Sequence, residues 1–270
     1  MLKNKTIFIT GGSRGIGLAI AKRAAKDGAN IVIAAKTDKP HPTLPGTIHS
    51  AVKEIEEAGG QGLAVQMDVR EDSQVEEAIE KAASHFGGID IVINNASAIF
   101  LANTSDIPMK RYDLMHDVNV RGSFITAQKA LPYLKKSKNA HILTLSPPID
   151  LDMRWFENHT AYTMSKYSMS LCAMGLAAEL KKDGIASNAL WPKTLIYTSA
   201  LKMVGNIKSE QCRKDTIMAD AAYEILVKDS SEATGQFYID EDLLKEAGVE
   251  DFSQYLFDPN STPIPDLYIS

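Results

Sequence analysis

The sequence predicts one α/β domain built on a doubly wound parallel sheet of about seven strands. Short strand-like runs alternate with longer segments of helical periodicity along most of the 270 residues. The first run, residues 6–10, is almost wholly apolar, which is typical of a strand buried on both faces. A glycine-rich turn follows it directly at residues 11–17. This alternation implies right-handed crossover connections and therefore parallel strands.

The predicted elements follow one another in a regular order. Gly28 closes the first helix, and Gly59 and Gly60 close the second, because glycine readily adopts the conformation that ends a helix. A loop at 38–47 contains three prolines and is longer than an ordinary connection between strand and helix. The predicted strands cover 6–10, 31–35, 62–67, 89–94, 141–146, 186–191 and 236–240. The predicted helices cover 18–26, 48–58, 71–86, 109–135, 161–182 and 219–227.

No internal repeat or low-complexity tract divides the chain, so we expect a single domain over residues 1–257. Residues 258–270 combine prolines with polar residues, which predicts an extended C-terminal tail.

Composition and charge exclude several classes of function. The chain is 44% hydrophobic and 23% charged, as in an ordinary globular protein, and its net charge of −5 offers no basic surface for nucleic acid or anionic membrane. No apolar run approaches the length of a membrane span. Cys172 and Cys212 lack metal-ligand spacing, so we expect no metal site and a reducing compartment. The N-terminal residues lead straight into a strand without room for a targeting peptide, which favours a cytoplasmic location.

The turn after the first strand is the first motif that indicates chemistry. Residues 10–17 read Thr-Gly-Gly-Ser-Arg-Gly-Ile-Gly. Glycine there permits positive φ and close approach of the backbone to a pyrophosphate, and the helix N-terminus adds free N–H groups. Tight turns also use glycine for purely structural reasons, which is the alternative interpretation. The residues predicted to bind the cofactor here are Gly11, Ser13, Arg14, Gly15, Ile16 and Gly17.

The residues near the second and third strands bear on the choice of cofactor. Lys36 follows the second strand where a carboxylate would bind the 2′-hydroxyl of NAD, and Arg14 adds a second cation. Two cations without an acid favour NADP(H) over NAD(H), unless both are simply solvated surface charges. Asp68, after the third strand, is predicted to accept a bond from the adenine amino group or to cap the helix that begins at Glu71.

The second motif pairs a phenol with an ammonium. Tyr162 and Lys166 are four residues apart in a predicted helix and would share one of its faces. A surface pair on an amphipathic helix is the alternative. Combined with a dinucleotide cradle, the pair indicates transfer of hydride and proton between a nicotinamide cofactor and a carbonyl or alcohol.

Four motifs in this order resemble the short-chain dehydrogenase/reductase family, over residues of about 5 to 240. They are the glycine turn at 10–17, Asn94-Asn95-Ala96, Asn119 within a helix, and Tyr162 with Lys166. Finer features resemble the hydroxysteroid-dehydrogenase-like subgroup: Pro40-His41-Pro42, Leu145-Ser146-Pro147-Pro148 and Trp191-Pro192-Lys193-Thr194. Members of that subgroup can carry a C-terminal sterol-carrier-type domain, and this chain is expected to hold the dehydrogenase domain only.

The resemblance implies a Rossmann-type fold and assigns roles to single residues. Tyr162 would be the general acid/base, and Lys166 would hold the nicotinamide ribose and favour the phenolate. Asn119 would support a water chain from Lys166 to solvent by locally distorting its helix. Asn95 and Ala96 would line the cofactor site.

Three departures from the family pattern carry expectations of their own. In the family a serine 13 residues before the tyrosine polarises the substrate carbonyl, whereas Ser146 lies 16 residues before Tyr162. We therefore expect either that Ser146 takes this role through a shifted loop or that the role is missing. Lys193 replaces a glycine and is expected to put a cation beside the nicotinamide pocket, with Thr194 or Thr198 contacting carboxamide or phosphate. Ser97 replaces another glycine, a milder change.

The resulting functional prediction is an NADP-dependent oxidoreductase that interconverts a hydrophobic alcohol, lipid-like or aromatic, and its ketone or aldehyde. The alternative is a cofactor-binding regulatory or scaffold protein with weak or no catalysis. Apolar loops at 148–160 and 196–214 favour a lipid-like or aromatic substrate, although they would equally suit lid packing or a subunit interface. The resemblance also implies a homodimer or homotetramer, and it leaves a peroxisomal or mitochondrial location open. The residues expected at the subunit interface are Leu114, Phe124, Met169 and Ala173.

Overall fold

Within residues 1–269, which the computed structural model describes, seven strands form one sheet in the order β3-β2-β1-β4-β5-β6-β7. All neighbouring strands are parallel. The order reverses between β1 and β4, and in open sheets ligands bind at the carboxyl ends of the strands beside such a reversal. The strands are β1 Thr6–Thr10, β2 Asn30–Ala35, β3 Gln61–Gln66, β4 Ile91–Asn94, β5 Ala140–Thr144, β6 Ile185–Trp191 and β7 Phe237–Ile239.

Helices cover both faces of this sheet, as its two-sided burial requires. One core cluster joins one face of the sheet to α1, α2, α8 and α9, and a second joins the other face to α3, α5 and α6. The helices are α1 Gly15–Ala25, α2 Ile48–Glu57, α3 Asp72–Phe86, α4 Met109–Met115, α5 Gly122–Leu134, α6 Thr160–Leu180, α7 Ser199–Val204, α8 Thr216–Leu226 and α9 Asp240–Glu246. A π-helix, His116–Arg121, joins α4 to α5.

The central strands are apolar because each of their side chains enters one of the two cores. Ile7 and Ile9 belong to the first cluster and Phe8 to the second, as the two-residue period of a strand dictates. β1 pairs in register with β2, Ile7 opposite Ile31 and Phe8 opposite Val32. The predicted fold class is therefore confirmed.

Several predicted boundaries differ from the structure. The predicted helix at 109–135 contains the π-helix, and the predicted strand at 236–240 ends at Ile239, after which α9 begins. The short helices α7 and α9 have no counterpart in the prediction because each spans only about two turns. No helix of residues 1–269 is long and apolar enough to cross a membrane.

The predicted subunit-interface residues divide into two groups. Met169 and Ala173 are 0% and 2% exposed and lie inside the chain, so their assignment to an intersubunit surface is wrong. They face inward because α6 packs on β6 and β5 with that side. Leu114 packs partly against the second core cluster, whereas Phe124 is 52% exposed.

The described part of the predicted C-terminal tail, 258–269, returns to the sheet without forming a helix or strand of its own. Ile264 O accepts a hydrogen bond from Leu195 N at 2.9 Å, and Asp266 N donates to Lys193 O at 3.1 Å. These hydrogen bonds hold the tail alongside the segment that follows β6. The proposed domain boundary at residue 257 stays a prediction, and Ser270 lies outside the described residues.

Candidate active site

The glycine turn between β1 and α1 forms a cradle whose backbone only glycine suits. Gly11 and Gly15 have φ values of +67° and +55°. A Cβ atom on Gly11 would lie 2.9 Å from Ala96 Cα, and one on Gly17 would lie 2.5 Å from Asn95 Nδ2. The cradle is therefore packed directly against the turn that follows β4.

Hydrogen bonds fasten the β4 turn to this cradle. Thr10 Oγ1 accepts bonds from Asn95 N and Ala96 N, both at 3.1 Å, and donates to Ile93 O at 3.3 Å. Asn95 Nδ2 donates to Thr10 O at 2.9 Å and to Gly11 O at 3.0 Å. The predicted cofactor residues Asn95 and Ala96 thus adjoin the cradle, and the Asn95 amide fixes its backbone.

The cradle fits a pyrophosphate. The N-terminus of α1 has no side-chain cap and no acidic residue in its first turn, so its N–H groups and positive dipole end are available to an anion. Thr198 Cγ2 lies 3.4 Å from the position of a Cβ on Gly15, which places the start of α7 beside the cradle. Ser13 and Gly17 are buried, whereas Ile16 is partly exposed.

Arg14 binds the long loop at 38–47. Its Nε and Nη2 donate to the carbonyl oxygens of Pro45 and Gly46 at 2.8 and 3.0 Å. Gly46 has a φ of +73°, and a Cβ there would lie 2.9 Å from Ser13 O. The loop therefore packs on the cradle, and burial lowers the pKa of the Arg14 guanidinium.

Lys36, Asp68 and Arg70 form a charged cluster at the carboxyl ends of β2 and β3. Arg70 binds both carboxylate oxygens of Asp68, the shortest bond being 2.6 Å, and Lys36 Nζ lies 3.8 Å from Asp68 Oδ2. The hydrogen bond from Arg70 lowers the pKa of Asp68. The residue before α3 is Glu71, so the alternative that Asp68 caps this helix is wrong. The sequence did not indicate Arg70.

The four predicted catalytic residues are linked through α6. Lys166 Nζ donates to Leu145 O at 2.6 Å, which ties it to the residue before Ser146. Asn119 Nδ2 donates to Ser165 Oγ at 3.0 Å, and Ser165 directly precedes Lys166 on α6. Tyr162 lies one helical turn before Lys166 on the same helix. Tyr162, Lys166, Ser146 and Asn119 are 6%, 2%, 1% and 0% exposed. The site is thus a closed centre at the carboxyl ends of β4 and β5.

Burial sets the protonation of the two α6 residues. It raises the pKa of the Tyr162 phenol well above its usual value and lowers the pKa of Lys166 to about 7. The Lys166 ammonium lies 4.9 Å above the Trp191 ring and 3.4 Å from Met169 Sδ. The Lys166 ammonium thus donates its hydrogen bonds to Leu145 O and Met169 Sδ.

Asn119 lies in the π-helix, so the predicted local distortion of its helix is confirmed. Its Oδ1 accepts from Ala98 N at 2.7 Å, while its Nδ2 donates to Ala98 O at 3.0 Å. The side chain thereby clamps the segment after β4, consistent with the frequent use of π-helical turns at functional sites. Its role in a water chain stays a prediction.

Ser146 follows β5, and its Oγ has no hydrogen-bond partner within residues 1–269 although it is buried. The next residue is fixed separately, because Ser170 Oγ donates to Pro147 O at 2.6 Å. Buried hydroxyls are almost always paired, so Ser146 Oγ is expected to bond a water molecule or a ligand.

The Lys193 ammonium pairs with acidic residues of α9, and its predicted position beside the nicotinamide pocket stays a prediction. Its Nζ binds Asp242 Oδ1 at 2.7 Å and lies 3.9 Å from Glu241, while its backbone N donates to Asp240 Oδ1 at 2.8 Å. The acidic first turn of α9 attracts the ammonium and raises the pKa of Lys193. Thr194 Oγ1, in contrast, is buried without a partner in the described chain.

The sequence missed an aromatic cluster beside Tyr162 that includes the C-terminal tail. The Tyr268 ring lies 5.2 Å from that of Tyr167, 5.6 Å from Trp155 and 6.0 Å from Trp191. Trp191 Nε1 also donates to Leu267 O at 2.8 Å. The one local signal for this arrangement is the apolar run at 267–269, which ends an otherwise polar tail. Residues 1–269 contain no cluster of histidine, cysteine, aspartate or glutamate suited to a metal ion.

A Rossmann-type sheet, a glycine cradle at its β1–α1 turn and a Tyr-Lys pair on α6 define a nucleotide-dependent dehydrogenase. The chain belongs to the short-chain dehydrogenase/reductase family, whose family model, described as short chain dehydrogenase, matches residues 5–207. Members of this family use NAD(P)(H).

The similar proteins include hydroxysteroid dehydrogenase-like protein 2 from Danio rerio and from Homo sapiens. Each is 56% identical over 98% of this chain, and the match spans 63% of the relative. The chain thus spans less than two thirds of the length of these relatives.

Two crystal structures are also similar. A Xanthomonas campestris protein, provisionally assigned as a dehydrogenase, is 52% identical with a TM-score of 0.98, covering 100% of this chain and 99% of that one. A short chain dehydrogenase from Mycobacterium thermoresistibile is 50% identical with a TM-score of 0.95, covering 100% and 96%.

Proposed function

We propose that the protein is an NADP(H)-dependent oxidoreductase that interconverts a hydrophobic, lipid-like or aromatic alcohol and its ketone or aldehyde. One observation carries the proposal. A buried phenol and a buried ammonium lie one helical turn apart on α6, the ammonium bonds the residue before an unpartnered buried hydroxyl, and the same sheet edge carries a cradle that fits a pyrophosphate.

The dinucleotide, when bound, supplies or accepts the hydride, and the chain's own residues handle the proton and the substrate oxygen. Tyr162 would hold the transferable proton at its phenol oxygen. Protonated Lys166, one helical turn away, would offset the effect of burial and favour the phenolate. Ser146 Oγ, which binds nothing else in the described chain, would donate to the substrate carbonyl oxygen.

Charges at the ends of β2 and β3 support the preference for NADP(H). Lys36 is 60% exposed and lines a cavity of about 620 Å³ together with Asp68 and Lys81, so its ammonium is accessible to a 2′-phosphate. The nearest carboxylate along the loop, Asp38, already binds His49 Nε2 at 2.7 Å. Arg14 supports the cradle mainly through the loop it holds.

Calorimetric titration with NADPH and NADH tests this preference. Lys36→Ala should lose roughly tenfold to a hundredfold in NADPH affinity, because a charge-assisted bond contributes about 1.5–3 kcal/mol, and should leave NADH affinity unchanged. Lys53→Ala, which removes an exposed lysine from α2, is the matched control. Equal binding of both cofactors by the unaltered protein would contradict the preference.

The substrate class follows from the surroundings of Tyr162. Its cluster contains Trp155, Phe156, Tyr167 and Trp191, which suit an apolar ring or chain better than a charged substrate. NADPH oxidation should be measured with aliphatic, aromatic and steroid ketones, the last because the relatives are named hydroxysteroid dehydrogenase-like. Turnover confined to small polar aldehydes would contradict the substrate class, and no turnover at all would favour a non-catalytic function.

We further propose a homo-oligomer formed through α5 and α6. Four apolar side chains on these helices are 43–52% exposed, namely Phe124, Met164, Leu171 and Met174. Light scattering at micromolar concentration should give at least twice the 29.5 kDa chain mass, and Phe124→Asp should lower it. A monomer in the unaltered protein would contradict the proposal.

A further inference from the structure

Residues 264–269, called the C-terminal strap below, cross the edge of the catalytic centre. The strap is attached through backbone bonds to Leu195 and Lys193, and Ile264 N donates to Gln211 O at 2.9 Å. The Trp191 indole bonds Leu267 O, and the same indole ring lies beneath the Lys166 ammonium. The strap is thereby one indole ring away from a catalytic residue.

Tyr268 is the buried anchor of the strap. Its side chain is 1% exposed, and its hydroxyl lies 3.1 Å from Thr163 Oγ1, next to Tyr162 in sequence. His159 bridges the two tyrosine rings, 6.5 Å from Tyr162 and 6.3 Å from Tyr268. The Tyr268 ring thus fills an aromatic site beside the proposed proton donor.

The backbone at Tyr268 is held in an unfavourable conformation. Its φ is +68°, in the left-handed region, where a bulky residue is a rare exception. Such strain persists only where surrounding contacts maintain it, and it is relieved when the segment moves. The ring contacts therefore hold the strap against a backbone preference for another conformation.

The closed strap also opposes the ionisation that catalysis requires. The acidic groups of Asp266 and Tyr268, when ionised, add to the effect of burial in raising the pKa of Tyr162. Burial likewise raises the pKa of Asp266 to about 7. Tyr162, Lys166 and Ser146 are each at most 6% exposed, so a substrate has to displace a covering group to reach them.

We propose that the C-terminal strap is a movable cover of the substrate site, and that Tyr268 is the specificity-determining residue whose ring occupies a subsite for a planar apolar ring of the substrate. The subsite is bordered by Trp155, Tyr167 and Trp191. Substrate and Tyr268 compete for it, so the strap opens for ligands with a flat apolar ring and stays closed otherwise. The substrate part of this inference rests on the proposed function, whereas the movement of the strap does not.

The protein contains two tryptophans, and both contact the strap, so their fluorescence reports its position without turnover. Acrylamide quenching should be compared among the unaltered protein, Tyr268→Ala, Tyr268→Phe and Phe257→Ala. Phe257 is 43% exposed and packs on the Tyr197 ring, so it serves as the matched aromatic control. A variant that lacks residues 264–270 provides a second way to open the strap if Tyr268→Ala folds poorly.

Loss of one buried aromatic ring should shift the open–closed equilibrium roughly tenfold or more toward the open state. Quenching should then increase in Tyr268→Ala and in the truncated variant, increase less in Tyr268→Phe, and stay unchanged in Phe257→Ala. Affinity for 2-acetonaphthone, measured by equilibrium dialysis, should rise in the same order. Unchanged quenching in both Tyr268→Ala and the truncated protein would overturn the cover.

Increased quenching combined with weaker 2-acetonaphthone binding would also overturn the proposal, because Tyr268 would then be a fixed wall of the site. If quenching and binding change as expected while neither the unaltered protein nor any variant reduces a ketone, the proposed oxidoreductase activity is contradicted and the proposed movement of the strap is supported. The two conclusions are therefore separable.

Discussion

Replacing Ser146 with alanine should make the protein more stable and less active at once. Ser146 is 1% exposed, and its Oγ has no hydrogen-bond partner in residues 1–269. Burial of an unpaired hydroxyl costs about 1–3 kcal/mol, which alanine does not incur. Ser146→Ala should therefore raise the free energy of unfolding by roughly 1 kcal/mol, and the melting temperature by roughly 2–4 °C.

The same change should remove a donor to the substrate oxygen. Loss of one such donor typically costs about 10²–10³ in kcat. Opposite effects on stability and activity are expected where a polar group is kept for a ligand and not for the fold. Thermal unfolding and NADPH oxidation with a verified ketone measure the two effects separately.

Ser187→Ala is the matched control for this prediction. Ser187 is also buried, but its Oγ donates to Ala173 O at 2.9 Å, two helical turns after Lys166 on α6. Its replacement should lower the free energy of unfolding by about 1 kcal/mol and leave turnover unchanged. If Ser146→Ala is destabilised to the same extent, or keeps full activity, the reasoning about its free hydroxyl is refuted.

Three further predictions follow from the same structure. Tyr162→Phe should reduce turnover by a factor of about 10²–10⁴ while NADPH affinity stays close to that of the unaltered protein. Lys166→Ala should impair both turnover and NADPH affinity, and retained turnover in Tyr162→Phe would contradict the mechanism. In Gly17→Ala the new Cβ would lie 2.5 Å from Asn95 Nδ2, so the protein should lose about 1–3 kcal/mol of stability, measured by thermal unfolding. The same variant should bind NADPH more weakly in calorimetric titration, and normal binding would contradict the packed cradle. Burial lowers the pKa of His141 to about 4, so between pH 6.5 and 4 the unfolded state binds more protons than the folded state. The free energy of unfolding should therefore fall by about 3 kcal/mol from this group as the pH drops from about 6.5 to 4. In denaturant titrations His141→Gln should flatten that decline, and an unchanged decline would refute the assignment.

The sheet could be predicted because its strands carry a local signal. Each side chain of β1 enters a core on one face or the other, so the run at 6–10 had to be apolar on both faces. The glycine cradle is equally local, since positive φ at Gly11 and Gly15 restricts the residue type at those positions. Helices α7 and α9 were missed because a hydrophobic period is not established in six or seven residues.

Directions of side chains were less predictable than their positions. Lys193 stands where the family pattern suggested a cation at the nicotinamide, yet its ammonium binds Asp242, which lies 49 residues later. Met169 was assigned to a subunit surface, although α6 buries it against the sheet. In both cases the deciding partner lies on another element, and spacing within one segment carries no information about it.

The proposed control of access to the site involves a contact between residues far apart in the sequence. Bonds among α6, the π-helix and the end of β5 join the residues predicted to be catalytic. The sequence identified these elements through Asn119, Ser146, Tyr162 and Lys166. The contact proposed to cover them joins Thr163 to Tyr268 across 105 residues. Under the proposed mechanism, a chain with the same four residues and a different C-terminal segment is expected to keep the same chemistry and to admit different substrates. Residues 264–269 are therefore where differences in substrate choice among close relatives should be sought first.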